Sequence, residues 1–275
     1  MRYRWLIENR ISVRDFRDIH VDKSKMIQLI NYSEGIKGLL EDIKVDFIFV
    51  SDGKIKRNLL KGKVGYKGHI VEAPHYIVMT SEEKPQYLQN ASYMMEELLL
   101  KANELDLGTC WLTVEDEEGL RKDLELTNAG KIVAMAALGY PKGRVPFTPK
   151  STSTRISLYE FVYHEKWGEE PKENELESRG LMNILYHIRM APSWKNQQPW
   201  RLIIDGEKLI LVVGGEEIPQ KSLLLDSGIM MLYLERIFNE AGIRVRWELY
   251  DDDLENIYET YNIPKDYKVV GCLRL

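Results

Sequence analysis

The sequence predicts an α+β fold in which two degenerate copies of one unit are joined in a single chain, and three observations carry that expectation. Short segments of the first part recur in the same order in the second, at nearly constant spacing. Strand-like and helix-like patterns alternate irregularly, with Asp205-Gly206 between two apolar runs as a hairpin signal. Glu165 to Glu177 is rich in charge and holds Gly168 and Pro171, the composition of a solvated connector. The boundary is expected there, with a first half over 1–165 and a shorter second half over 166–275.

The repeat fixes the order of elements. Ser81-Glu82-Glu83-Lys84-Pro85-Gln86 returns 134 residues later as Gly215-Glu216-Glu217-Ile218-Pro219-Gln220, each copy following an apolar strand-like run. Met94-Met95, Asn103-Glu104 and Trp111 return as Met230-Met231, Asn239-Glu240 and Trp247, now 136 residues on. Ile132-Val133-Ala134 corresponds to Val269-Val270-Gly271 at 137. Each copy carries a long helix with an apolar stripe at three- and four-residue steps: Leu88, Ala91, Met95, Leu98, Ala102 and Leu105, then Leu223, Ser227, Met230, Leu234, Ile237 and Ala241. Small residues in both stripes suit close helix packing, and the helices are read as core. A shorter helical pattern holds Leu181, Ile184, Leu185 and Ile188. Strands are expected at 45–50, 76–80, 132–138, 201–204, 209–213, 244–249 and 269–273.

Composition narrows the function classes. In 275 residues, 44% are hydrophobic and 29% charged, as in a globular chain that can bury a core. The net charge of −5 at pH 7 argues against general nucleic-acid binding, which needs basic surface to neutralise phosphates. An anionic ligand would need a local basic site. No apolar run approaches the ~20 residues that span a bilayer, and the charged N-terminus lacks a signal-peptide core, so a cytoplasmic protein off the membrane is expected. Two cysteines, Cys110 and Cys272, make neither a disulfide framework nor a cysteine metal site, and no metal is expected.

Two segments outside the repeat could carry chemistry. In Asn9-Arg10-Ile11-Ser12-Val13-Arg14-Asp15-Phe16, alternation places Arg10, Ser12 and Arg14 on one side of an extended stretch. Two guanidinium forks with a hydroxyl between them suit a phosphate; a solvated arginine-bearing turn is the plain alternative. Ala191-Pro-Ser-Trp-Lys-Asn-Gln-Gln-Pro-Trp200 combines prolines, a serine and amides in a stiff loop that could face a polar heterocycle, or could be a structural turn.

Together, Arg-x-Ser-x-Arg-x-Phe and Ala-Pro-Ser-x-x-Asn-x-Gln-Pro-Trp resemble the two hallmark segments of the nitroreductase family of FMN enzymes. The likeness extends to Ala73-Pro74 before a strand, Leu107-Gly108-Thr109-Cys110-Trp111, Leu138-Gly139-Tyr140-Pro141, and a tail with Arg155, Leu158 and Trp167. Ordinary members are homodimers whose FMN sites form between subunits. One subunit gives the Arg-Ser-Arg segment and the other the Pro-Ser loop. This chain departs from the pattern. The first copy has Tyr32-Ser33-Glu34-Gly35-Ile36-Lys37 where the loop belongs, and the second has no Arg-x-Ser-x-Arg before its Leu181 helix. It is thus similar to fused members that form an intrachain pseudo-dimer around long central helices, beginning here near Tyr87 and Leu223, with one site per monomer.

The resemblance implies that Arg10, Ser12 and Arg14 hold the FMN phosphate, ribityl chain or pyrimidine edge, and that Arg155 completes the phosphate site. Pro192, Ser193, Trp194 and Asn196 would line the flavin, and backbone at Thr113 to Glu115, in particular Thr113 and Val114, would lie near its N5 edge. Trp194 stands where many relatives have a small residue; it either walls the flavin or packs outward. Gln198, Pro199 and Trp200 are expected to shape the loop and start the next strand. No side-chain nucleophile is required, because the flavin carries the chemistry. The implied activity moves electrons from NAD(P)H to a small electron-poor acceptor such as a nitroaromatic or quinone. No Gly-x-Gly-x-x-Gly follows a strand, so no separate dinucleotide domain is expected. The alternatives are a flavin-binding or redox-sensing protein without catalysis, another FMN reaction such as dehalogenation or flavin breakdown, and a module in which both loops are plain turns.

Overall fold

A computed structural model describes residues 1–65, 69–143, 154–250 and 255–275. The chain divides into two compact units, Met1 with Asn9–Ser151, and Arg2–Glu8 with Thr152–Leu275. It opens with helix α1 (Tyr3–Asn9), most of which belongs to the second unit.

The first unit contains α2 (Lys23–Glu34), β1 (Val45–Val50), α3 (Gly53–Leu60), β2 (Val64–Gly65), β3 (His75–Ser81), α4 (Tyr87–Glu104), β4 (Gly108–Val114), α5 (Glu117–Asp123) and β5 (Lys131–Gly139). Its sheet runs β1-β3-β5-β4-β2, antiparallel throughout. β3 and β5 are central, and burial on both faces explains why they read as continuous apolar runs rather than alternating ones. Val78, Met135 and Leu112 from adjacent strands meet Leu60 and Leu120 in the core on one face.

The second unit adds α6 (Leu158–Phe161), β6 (Val162–His164), α7 (Glu173–Ser178), α8 (Leu181–Ile188), β7 (Trp200–Asp205), β8 (Lys208–Gly214), α9 (Gln220–Glu240), β9 (Arg246–Leu249), α10 (Glu255–Tyr261) and β10 (Tyr267–Arg274). Its sheet runs β6-β7-β8-β10-β9. The Asp205-Gly206 signal is the turn of the β7–β8 hairpin, closed by the Asp205–Lys208 pair, with Gly206 at φ 56°.

The two sheets share a core order, β1-β3-β5-β4 in one and β7-β8-β10-β9 in the other, antiparallel at each step. Both also carry a bulge at matching positions. Val133 is the extra residue where β5 passes Met79 and Thr80, and Val270 where β10 passes Leu211 and Val212. The recurring residues found in the sequence fall in corresponding elements: the methionine pairs in α4 and α9, the tryptophans in β4 and β9.

Two expectations are corrected. The division falls between 151 and 152 instead of after 165, because β6 pairs in parallel with β7 and Trp167 packs between Tyr163 and Tyr267, with ring centroids at 5.0 and 4.4 Å. The presumed connector is therefore part of the second unit: α7 begins with Glu173 and Glu175, which favour a helix N-terminus, and buries Leu176. In addition, α4 and α9 are buried all round along their middles, Leu88–Leu100 and Asp226–Leu234, rather than along one stripe. β2, β4 and β6 were not foreseen as strands.

The first unit also contains an acid-sensitive contact. The buried His75 Nε2 accepts the Val21 N–H at 3.0 Å, which requires the neutral ring. Burial, then the neighbouring His20, lower its pKa from 6.5, against a smaller opposing pull from Asp52. A base with a depressed folded-state pKa contributes stability that is complete above the unfolded value and lost as pH falls through the folded one. Below pH 6.5 stability should therefore decline, by at most about 1.4 kcal/mol per pH unit for one proton. Urea midpoints at pH 7.5 and 5.5 check this: His75→Gln, which keeps an acceptor near the Nε2 position, should flatten the decline.

Candidate functional site

The Arg-Ser-Arg segment is fixed by its apolar residues, which leave its polar ones to face elsewhere. Val13 and Phe16 are buried in the first unit's core. The Val13 N–H donates to the Thr109 carbonyl at 2.8 Å, Ser12 pairs with Thr109, and Phe16 pairs with Pro141. Gly108 at the start of β4 is what allows the close seat: a Cβ there would stand 2.7 Å from Val13 Cγ2. Arg14 remains exposed, Ser12 half-buried and Arg10 buried.

Arg10 is oriented from α4. Its Nε lies 3.8 Å from Glu96 Oε1, and Trp111 Nε1 donates to Glu96 Oε2 at 2.7 Å. Glu96 is fully buried, where a carboxylate requires such partners. Both arginines act on Cys110 in β4: burial pushes the thiol's pKa up, while Arg14 and then Arg10 pull it down. Two cationic groups thus share one region of the first unit. Thr113 is exposed and Val114 half-buried, paired with Gly65 and Val64 of β2. The Glu115 N–H donates to Lys63 O at 2.7 Å and is committed to that turn.

In the second unit the Pro-Ser loop is tied by its own polar groups. The Ser193 hydroxyl accepts the Gln198 N–H at 2.9 Å, and the buried Gln198 carboxamide receives the Ile156 N–H at 3.0 Å. Lys195, Asn196 and Gln198 have φ of 49°, 61° and 51°. That region is costly for residues with a Cβ, most of all for Lys and Gln, so the fold must hold the turn in place. Such strain is commonest where a loop serves a ligand. Trp194 is half-buried, with Lys195 Nζ 4.0 Å from its ring centroid. Trp200 is fully buried and begins β7.

Arg155, foreseen as a phosphate ligand, lies in this second unit and reaches into the loop. Nη1 donates to Ala191 O at 2.8 Å and to Asn196 Oδ1 at 3.2 Å, and Nη2 to Met190 O at 3.0 Å. Asn196 Nδ2 donates to Thr154 O at 3.0 Å, so its amide is engaged at both ends. Two polar residues of the central helices were missed in the sequence: Glu96, and Asp226, whose carboxyl oxygens lie 3.1 and 3.0 Å from the Trp194 N. Their signal was present, since each is acidic and lies in a helical stretch that is otherwise largely apolar, Met94 to Leu100 around Glu96 and Leu223 to Met231 around Asp226. Among the described residues no group of three or more His, Cys, Asp and Glu could hold a metal ion, and no helix is long and apolar enough to cross a membrane.

Two sheets whose four-strand antiparallel cores match in order, an arginine-bearing segment seated on one and a strained amide-rich loop leading into the other, define a nitroreductase-type fold. The family described as "Putative TM nitroreductase" matches residues 5–236, and the chain belongs to that family. A crystal structure of a "putative nitroreductase" from Thermotoga maritima aligns over 100% of this chain and 94% of its own, with 19% identity and a TM-score of 0.63. A "Putative NADH dehydrogenase/NAD(P)H nitroreductase" from Parabacteroides distasonis covers 61% of this chain and 99% of its own, at 23% identity and TM-score 0.50. No curated protein matches the sequence.

The Arg155–Asn196 contact gives a test by double-mutant cycle. Arg155→Ala should cost about 2 to 3 kcal/mol by leaving loop carbonyls without a charged donor, and Arg155→Lys should recover less than half, since a point charge cannot serve a forked set of acceptors. Arg155→Ala and Asn196→Ala should be non-additive by about 1 kcal/mol. Urea unfolding of wild type, the three single variants and the Arg155→Ala/Asn196→Ala double variant measures all three.

Proposed function

We propose that this chain is an FMN-dependent oxidoreductase that takes electrons from NAD(P)H and gives them to a small electron-poor acceptor, a nitroaromatic or quinone. The observation that carries the reading is the retention of both hallmark segments, once each, in a chain matched to the nitroreductase family over 5–236. The fit to the cofactor is chemical. A phosphate dianion calls for clustered guanidinium groups, and Arg10 and Arg14 both act on the Cys110 region, with Ser12 between them in the chain. A polar flavin edge calls for a stiff loop of amides and hydroxyls, which residues 192–198 supply.

When bound, FMN supplies two-electron transfer at N5 of its ring. Arg10, Ser12 and Arg14 would hold its phosphate and ribityl chain, with Glu96 keeping Arg10 oriented. Pro192, Ser193, Trp194 and Asn196 would present the flavin-facing wall, and the backbone at Thr113 and Val114 would lie by the N5 edge. Arg155 is assigned here to the loop rather than to the phosphate, because its Nη donors already face Met190, Ala191 and Asn196. Cationic side chains and oriented N–H groups favour the negative charge that develops on a reduced ring. The NAD(P)H in the name of the Parabacteroides relative agrees with a nicotinamide donor. Because each segment occurs once, one FMN per chain is expected, with activity in the monomer.

The purified protein should take up FMN in a 1:1 ratio, read from its visible absorbance against mass by light scattering, and should oxidise NAD(P)H with a quinone present. Arg14→Glu turns a guanidinium facing phosphate into a carboxylate and should weaken FMN binding at least about tenfold, the loss expected of one charge-assisted contact. Two flavins per chain, or flavin content unchanged in Arg14→Glu, would overturn the assignment.

A further inference from the structure

Asp226 is a buried acid with no ionic partner among the described residues to account for it. It sits in α9 at 4% exposure, and both carboxyl oxygens face the backbone N–H of Trp194. Burial raises its pKa well above 3.8 and the Trp194 N–H lowers it; among the described residues no charged side chain contributes. An apolar residue would pack there at less cost unless the contact with Trp194 matters.

The first unit shows what the position is for. The 136-residue spacing that aligns Met94-Met95 with Met230-Met231 places Asn90 opposite Asp226. Asn90 is likewise fully buried, in α4, and its Oδ1 accepts the Leu40 N–H at 2.9 Å. Each of these long helices thus uses one buried side chain to pin one backbone N–H in the segment that follows an earlier helix, α2 in one unit and α8 in the other. The first segment bears no hallmark residues; the second is the Pro-Ser loop. In that loop the pinned residue comes just before the left-handed turn at Lys195 and Asn196, φ 49° and 61°. Arg155 restrains the carbonyl side at Met190 and Ala191, and Asp226 the N–H side at Trp194. A strained turn held on both sides keeps its shape before a ligand arrives, which lowers the ordering cost of binding.

We propose that Asp226 is a positioning residue for FMN, fixing the Trp194 backbone and with it the surface that the Pro-Ser loop offers the flavin. The proposal rests on the FMN reading above. A neutral amide at this position performs the same pinning in the first unit, so Asp226→Asn should rescue what Asp226→Leu removes. Asp226→Ser, too short to reach Trp194, provides a second break should the leucine variant not fold.

Hydrogen exchange of the peptide containing Trp194, measured without flavin, reads the anchor itself. Quenching of FMN fluorescence reads its consequence, and circular dichroism monitors the fold. With Asp226→Asn, exchange at Trp194 should stay slow and the FMN Kd within about threefold of wild type. With Asp226→Leu or Asp226→Ser, exchange at Trp194 should quicken and the Kd rise at least about tenfold, a change of about 1.4 kcal/mol in binding, while the circular dichroism is kept. Faster exchange with an unchanged Kd, or exchange and Kd both unchanged, overturns the proposal while leaving the FMN reading intact. A wild-type protein that takes up no FMN overturns that reading, and the ligand role of Asp226 with it.

Discussion

A polar group buried in a protein must find a partner, and in this chain the two buried central helices supply several of the partners on which the candidate site depends. α4 and α9 are buried all round along their middles, yet they carry Asn90, Glu96, Glu97 and Asp226. Each reaches a group outside its own helix: Asn90 the Leu40 N–H, Glu96 the Trp111 indole and Arg10, Glu97 the Tyr32 hydroxyl, and Asp226 the Trp194 N–H. The helices therefore form core and also orient the less regular segments. Because an unmatched donor or acceptor costs about 1 to 3 kcal/mol when buried, these contacts specify one arrangement of each segment.

The matching sheets are consistent with an internal duplication in which scaffold and site have followed different courses. Strand order and a bulge recur at the same places, because a bulge sets the twist of its strand and the register beside it. The segments proposed to hold FMN are free of that constraint. Arg10, Ser12 and Arg14 occur in the first copy and Pro192, Ser193 and Asn196 in the second. Where the second copy has its Pro-Ser loop, the first has the end of α2, with Tyr32 bound to Glu97.

The loop itself illustrates how rigidity is assembled from weak parts. Its left-handed residues are unfavourable in isolation, and no single contact compensates for them. Ser193, Gln198, Arg155, Asn196 and Asp226 act together, and a network satisfied in this way is stiffer than its separate bonds suggest. Such a loop can present Trp194 and its neighbours to a ligand with little further ordering.

Much of the fold was legible in the sequence, since periodicity and repetition are local properties. The long helices, the strand at 45–50, the β7–β8 hairpin and the order of the repeat could all be read from apolar spacing and turn residues. So could the hallmark segments, as runs of characteristic residue types. β4 escaped because its Gly108-Thr-Cys-Trp start does not look like a strand until Val13 is seen packed against Gly108. The division near 151 escaped because parallel pairing of β6 with β7 joins residues far apart in sequence. Arg155 shows the same limit: composition marks it as a cation, but its surroundings turn its donors toward Met190, Ala191 and Asn196. The sequence by itself determined which residues could bind an anion or cap a backbone group. Only the tertiary structure decided which partner each one has, because a hydrogen bond depends on distances of about 3 Å that no spacing along the chain specifies.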